Sequence, residues 1–183
     1  YGRAGTLEWL VDENQNFYFL EMNTRLQVEH PVTEAVAGVD LVKGMLWIGA
    51  GLGLPPEFQI EGTLFPHKGH AVEARIYAED PLRGYLPSTG PLVKYKEPED
   101  LGLDDRYIRL DSGVVEGHVV SPFYDPMLSK IIAYAPTRQE AIDTLADGLD
   151  QYVIEGVRHN SRVCNAVLRH PAFRAGDPPT PFL

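Results

Sequence analysis

Five turn-forming residues in a row, Asp12-Glu13-Asn14-Gln15-Asn16, separate two strand-like runs, Thr6 to Asp12 and Asn16 to Asn23. Two such runs around a polar, turn-rich break predict a β-hairpin. With the turn centred on Asn14–Gln15, antiparallel pairing sets Glu8 opposite Glu21. Directly opposed side chains lie about 5 Å apart on one face of a sheet, where like charges repel. A divalent cation with oxygen ligands offsets that repulsion. Asn23, two residues past Glu21 and on the same face, offers a third oxygen. The same residues also fit an exposed hairpin carrying two solvated glutamates.

The run from Glu21 to Glu29 continues the alternation. In an extended chain Glu21, Asn23, Arg25, Gln27 and Glu29 share one face, and Met22, Leu26 and Val28 the other. Carboxylate and amide oxygens suit a metal. A guanidinium suits a planar oxyanion, and a terminal carboxylate can take a proton. An amphipathic edge strand with a wet outer face has the same period.

Totals narrow the classes. A formal net charge of −10 speaks against nucleic acid as a partner. Residues 97–155 hold 13 Asp or Glu against 4 Lys or Arg, which fits a solvated acidic surface. No apolar run reaches the roughly 18 residues that a membrane span needs. The single cysteine, Cys164, excludes an internal disulfide and reads as a structural thiol on the face of Val163, Val167 and Leu168. The first residue is Tyr1 and no leader is visible, so the chain is expected to begin inside a larger protein.

Further along, Thr33 to Ala37 predicts a short helix, and Asp40 caps a second that runs to about Ala50 and stops at Gly51. Residues 51–69 read as a linker. Ala71 to Ala78 reads as a strand, and short strands follow to about Tyr134. Thr137 and Glu140 form a capping box ahead of Ala141, Ile142, Leu145, Ala146 and Leu149, with Asp143, Asp147 and Asp150 outward. A last helix runs from about Asn160 to Pro171. Strands followed by helices predict an α+β second domain with a mixed antiparallel sheet. His67-x-x-His70 lacks a third ligand for zinc and reads as a loop pair.

Glu21-Met22-Asn23-Thr24-Arg25-Leu26-Gln27-Val28-Glu29-His30-Pro31-Val32-Thr33-Glu34 resembles the signature of the biotin carboxylases, the ATP-grasp subunits or domains of biotin-dependent carboxylases. Gly5-Thr6-x-Glu8, Gly69-His70-Ala71-x-Glu73-x-Arg75, Ala78-Glu79-Asp80-Pro81, Leu86-Pro87-Ser88 and Tyr124-Asp125-Pro126-Met127-x-x-Lys130 extend the resemblance over essentially the whole chain. Tyr152-Val153-Ile154-x-Gly156-Val157-x-His159-Asn160 and Thr180-x-Phe182-Leu183 are most similar to the α chains of propionyl-CoA carboxylases within that family.

The resemblance implies residues 1–61 as the C-terminal part of an ATP-grasp domain and 62–183 as a biotin carboxylase C-terminal domain. It implies ATP with Mg²⁺ or Mn²⁺ held by Glu8, Glu21 and Asn23, and bicarbonate held by Arg25, Gln27 and Val28. Glu29 is then the base and Arg25 a catalytic cation. Arg75 stabilises the biotin enolate, with Asp125 holding Arg75. Biotin arrives as a substrate on a carrier domain. The implied partners are that carrier, a carboxyltransferase subunit and an upstream N-terminal half. The implied setting is bacterial cytoplasm or mitochondrial matrix, with no nucleic acid and no membrane. The sequence reads Leu86-Pro87-Ser88-Thr89-Gly90 where members often carry a second proline, a turn detail. It contains no glycine-rich lid, ATP-binding lysine pair or biotin-attachment lysine, so the fragment alone is expected to be inactive. A catalytically silent dimerisation or docking module is the alternative. Another ATP-grasp ligase would share the Glu-x-Asn pair but not the surroundings of Arg75.

Overall fold

The computed structural model describes residues 2–59, 66–99, 105–176, 178 and 182. The chain divides into two compact units, Tyr1–Lys68 and Gly69–Leu183. The boundary expected between residues 61 and 62 lies outside the described residues, as do Thr180 and Leu183.

In the first unit, β1 (Thr6–Val11) and β2 (Phe17–Asn23) form the expected antiparallel hairpin. The turn is a residue longer than the sequence suggests. Asp12 N–H donates to Asn16 O, Gln15 N–H donates to Asp12 O, and Gln15 takes φ 63°. This is a three-residue loop with a left-handed third position. The Asp12 carboxylate holds it by accepting from the Asn14 and Asn16 backbone and from the Asn16 side chain, each at 2.9 Å. Led by the Asn16 side chain, these bonds keep that carboxyl below the usual aspartate range. The longer loop pairs Val11, Leu10 and Trp9 with Phe17, Tyr18 and Phe19. A bulge then absorbs Leu20 and restores the predicted register, so Glu8 faces Glu21 and Thr6 faces Asn23.

Helices α1 (His30–Ala37) and α2 (Leu41–Gly49) follow. Pro31 sits in the first turn of α1, where its missing N–H costs nothing. Gly38 closes that helix with φ 70°. Asp40 caps α2 as expected, accepting from Lys43 N–H at 2.7 Å.

The second unit is built on a three-stranded antiparallel sheet. Its centre is β10 (Met127–Ala135), flanked by β3 (His70–Tyr77) and β8 (Tyr107–Ser112). Short antiparallel pairs surround it. They are β4 (Glu79–Asp80) with β5 (Leu86–Pro87), β6 (Gly90–Pro91) with β9 (Val119–Val120), and β7 (Lys94–Lys96) with β11 (Val153–Glu155). Helix α3 (Arg138–Gln151) carries the predicted capping box and lays Ile142, Leu145 and Leu149 on the sheet, with Asp143, Asp147 and Asp150 exposed. Gly148 lets it approach closely, because a Cβ there would stand 2.6 Å from Ile108 and 3.0 Å from Ile131. The last helical stretch is broken at Pro171 into α4 (Ser161–Arg169) and α5 (Pro171–Ala175).

The two faces of the sheet differ. Ala74, Ile131 and Leu110 lie in register on the α3 side. Arg75, Lys130 and Asp111 lie in register on the other, next to the row Glu73, Ile132 and Arg109. Asp111 accepts from Arg109 at 2.8 Å and pairs with Lys130 at 3.1 Å. Ile132 is fully buried on this charged face, where the aliphatic stems of long charged side chains can cover it.

Candidate active site

The first grouping of predicted site residues belongs to the hairpin. The shared register of Glu8 and Glu21 puts both carboxylates on one face. Asn23 Nδ2 donates to Glu8 Oε1 at 2.6 Å and reaches Glu21 Oε1 at 3.4 Å. Gln27 Nε2 donates to the same Glu8 oxygen at 3.2 Å. Four of the predicted residues therefore converge.

The extended row does not continue. Strand β2 stops at Asn23, and residues 24–29 turn into α1 instead of running straight to Glu29. The ladder with β1 ends at the Thr6–Asn23 pair, and residues 2–5 do not extend it. His30 N–H then bonds Gln27 O and Val32 N–H bonds Glu29 O, closing the first helical turn. Arg25 is exposed, with its guanidinium donating to Leu26 O at 3.2 Å. Val28 is half-buried and Glu29 is exposed at the head of α1. Gln27 reaches the carboxylates because the chain bends, not because it alternates.

The donor set fits a hard cation. Two carboxylates point the same way across a strand pair, with only amide donors as hydrogen-bond partners among the described residues. Exchanging the Asn23 amide nitrogen and oxygen by a χ2 flip presents a third oxygen. No cluster of three or more His, Cys, Asp or Glu suited to a metal occurs among the described residues. A bound Mg²⁺ would therefore take its other ligands from water or substrate phosphate, as is usual for that ion.

The second grouping is on β3. Arg75 is half-exposed on the charged face, with Nε 3.7 Å from Glu73 Oε1, whose side chain is 5% exposed. Asn160 brackets the strand edge at this point. Its Nδ2 donates to Arg75 O at 3.0 Å and its Oδ1 accepts from Tyr77 N–H at 2.9 Å. The Asp125 carboxylate, expected to hold Arg75, has one oxygen engaged locally. It accepts from Met127 N–H at 2.8 Å, two residues on. With burial first and the Asp125 charge second, the Glu79 carboxyl is pushed up. Cys164 is half-buried, and burial raises its thiol, as a structural role requires. Sequence reasoning missed the Asn160 bracket, although Asn160 lay inside a recognised motif.

A hairpin carrying paired carboxylates and an amide, followed by an antiparallel α+β module, is the arrangement expected from the resemblance to the end of an ATP-grasp ligase and its trailing domain. Residues 1–57 match the ATP-binding domain of the carbamoyl-phosphate synthase L chain, and residues 73–183 match the biotin carboxylase C-terminal domain. The chain belongs to the biotin carboxylase family. It is 46% identical over its whole length to the mitochondrial propionyl-CoA carboxylase α chain of Caenorhabditis briggsae, covering 24% of that protein. It is 48% identical to the biotin carboxylase of Halalkalibacterium halodurans, covering 38% of it. The chain thus spans between a quarter and two fifths of these relatives. Among solved structures, the biotin carboxylase domain of Hydrogenobacter thermophilus 2-oxoglutarate carboxylase, a dimer in complex with MgADP, ADP and bicarbonate, matches at TM-score 0.84 and 37% identity. The match covers 96% of this chain and 37% of that one. The second module separates the chain from other ATP-grasp ligases, which the first alone does not.

Proposed function

We propose that this chain is the C-terminal part of a biotin carboxylase that uses ATP and bicarbonate to carboxylate biotin on a carrier domain, within an acyl-CoA carboxylase of the propionyl-CoA type. The convergence of Glu8, Glu21, Asn23 and Gln27 carries the reading. Residues 1–61 are its ATP-grasp part and 62–183 its trailing domain. Glu8, Glu21 and Asn23 hold Mg²⁺ or Mn²⁺, which when bound neutralises phosphate charge. Arg25, Gln27 and Val28 hold bicarbonate by charge and hydrogen bonding. Glu29 removes the bicarbonate proton. The freed oxygen attacks the γ-phosphorus as the bond to ADP breaks, giving carboxyphosphate. Phosphoryl transfer of this kind depends mainly on positioning and charge stabilisation. Arg75 faces the negative charge that develops on the biotin ring oxygen, with Asp125 assigned to the same biotin site. Carrier, carboxyltransferase and the upstream half of the enzyme are the partners, in bacterial cytoplasm or mitochondrial matrix.

The test is Glu29→Gln in the complete carboxylase containing this chain. Bicarbonate-dependent ATP cleavage falls by about 10²–10⁴, the usual contribution of a positioned base. Near-normal turnover removes the assignment of Glu29.

The exposed apolar hairpin favours a second reading. Trp9, Leu10, Phe17 and Phe19 are each about half exposed or more, apolar surface that a partner, or the upstream half of the enzyme, would cover; on the second reading the piece is a catalytically silent dimerisation or docking module. Calorimetry with MgATP on residues 1–183 separates the two. Micromolar binding contradicts the silent reading.

A further inference from the structure

We propose that His30 and Glu34 are positioning residues that hold Gln27, and with it the bicarbonate-side loop, against the Glu8 carboxylate. The inference rests on the function proposed above and adds two residues that carry none of its chemistry.

The residues form one connected path. Gln27 reaches the site with its side chain, donating to Glu8 Oε1 at 3.2 Å. Its carbonyl turns the other way and meets His30 Nδ1 at 2.9 Å. A carbonyl only accepts, so Nδ1 carries the proton. The opposite ring nitrogen, Nε2, stands 3.9 Å from Glu34 Oε2, one helical turn on. Glu34 is 6% exposed, and its other oxygen accepts from Leu41 N–H at 2.7 Å. Leu41 is the first residue of α2, where free N–H groups and the helix dipole favour a carboxylate. The path thus runs from the head of α2 through Glu34 and His30 to Gln27 and Glu8. Both side chains on it are nearly closed to solvent, at 12% and 5% exposure.

The path answers a problem set by the end of β2. Residues 24–29 have left the sheet, so no ladder holds them. Among the described residues, the hydrogen bond of Arg25 is to its neighbour's carbonyl. A loop that must place an amide, a guanidinium and a carboxylate to within a fraction of an ångström needs an anchor, and a misplacement of about 1 Å can cost two orders of magnitude in rate. His30 grips the backbone of Gln27, a loop residue whose side chain already touches the Glu8 carboxylate. Glu34 in turn is fixed to a separate helix and packs its carboxylate beside the imidazole, which limits the space the ring can move into.

The experiment uses the complete carboxylase with ATP, Mg²⁺ and bicarbonate, in three forms. Wild type must first show bicarbonate-dependent ATP cleavage. If it does not, the proposed function fails, whatever His30 does. Given that activity, His30→Leu removes the bond to Gln27 O. Its bicarbonate KM is expected to rise about tenfold, the size of one hydrogen bond, while the KM for ATP stays within twofold. His30→Asn places an amide nitrogen where Nδ1 was and keeps that bond. Its bicarbonate KM is expected within about threefold of wild type. A structural role alone moves both KM values together and is not rescued by Asn. The inference is overturned if His30→Leu leaves the bicarbonate KM unchanged, if both KM values rise in parallel, or if His30→Asn is as impaired as His30→Leu. Should the Leu variant not fold, the Asn variant decides alone, and a tenfold rise in its bicarbonate KM overturns the proposal.

Discussion

Replacing Tyr152 by Phe removes a single oxygen from the middle of a buried polar chain. Tyr152 OH lies 2.7 Å from Ser129 Oγ and 3.2 Å from Tyr95 OH, and Tyr95 OH donates onward to Glu97 Oε1 at 3.1 Å. Ser129 is 2% exposed on β10 and faces the α3 side of the sheet, so water does not replace the lost partner. The phenyl ring keeps the packing, including the edge-on contact with Tyr95 at 5.9 Å, and leaves no cavity. The cost is that of a stranded buried hydroxyl, about 1–3 kcal/mol. For a protein of this size that is a fall in Tm of about 3–9 °C. Burial also raises both tyrosine hydroxyls, that of Tyr152 well above its ordinary range. The unfolded chain releases these protons near pH 10 while the folded one keeps them, so the stability they supply is present below pH ~10 and is lost as pH rises beyond it. Urea unfolding of wild type, Tyr152→Phe, Ser129→Ala and the double variant at pH 7, repeated at pH 10.5, measures both effects. The double variant should recover about 1 kcal/mol relative to the sum of the singles. Tyr152→Phe should also show the shallower alkaline decline. A cost under about 0.5 kcal/mol, or strict additivity, would refute the reasoning.

Gly156→Ala should unfold the second unit at markedly lower temperature, with a loss of at least about 3 kcal/mol. Its φ is +107° and an added Cβ would sit 2.1 Å from Pro91 O. Gly53→Ala, at φ +79° in open space, should cost only about 1–2 kcal/mol, and equal melting shifts for the two would remove the steric argument. In the complete carboxylase, Arg75→Ala should lose biotin carboxylation about tenfold more than bicarbonate-dependent ATP cleavage. Parallel loss of both activities contradicts a role confined to biotin.

What the sequence made legible was local. Asp40 and Thr137 announce their helices by capping chemistry that acts within four residues, and the apolar series after Glu140 has only one helical face to bury. The Glu8–Glu21 pairing was legible for a less direct reason. Two departures from the simple hairpin, a three-residue loop and a bulge at Leu20, cancel. Neither has a marker of its own, since Gln15 and Leu20 are ordinary residues in unusual backbone roles. Polar alternation from Glu21 to Glu29 misled because period reports which face a residue would take if the strand continued. Whether it continues depends on Thr6, fifteen or more residues away, having no predecessor in the ladder. The Asp125 assignment came from resemblance, and the local bond from Met127 N–H to one of its oxygens has no marker in the sequence. The path from Leu41 through Glu34 and His30 was hidden within a recognised signature, because a motif names residues without saying which of them touch.

On the proposed function, Glu8 and Glu21 share a divalent cation with the nucleotide. Bicarbonate-dependent ATP cleavage by the complete carboxylase, measured against free Mg²⁺ at saturating ATP for wild type and Glu21→Gln, tests it most directly. Loss of one charged oxygen ligand should raise the Mg²⁺ concentration needed for half-activity by about tenfold or more. An unchanged Mg²⁺ dependence in the variant would contradict it.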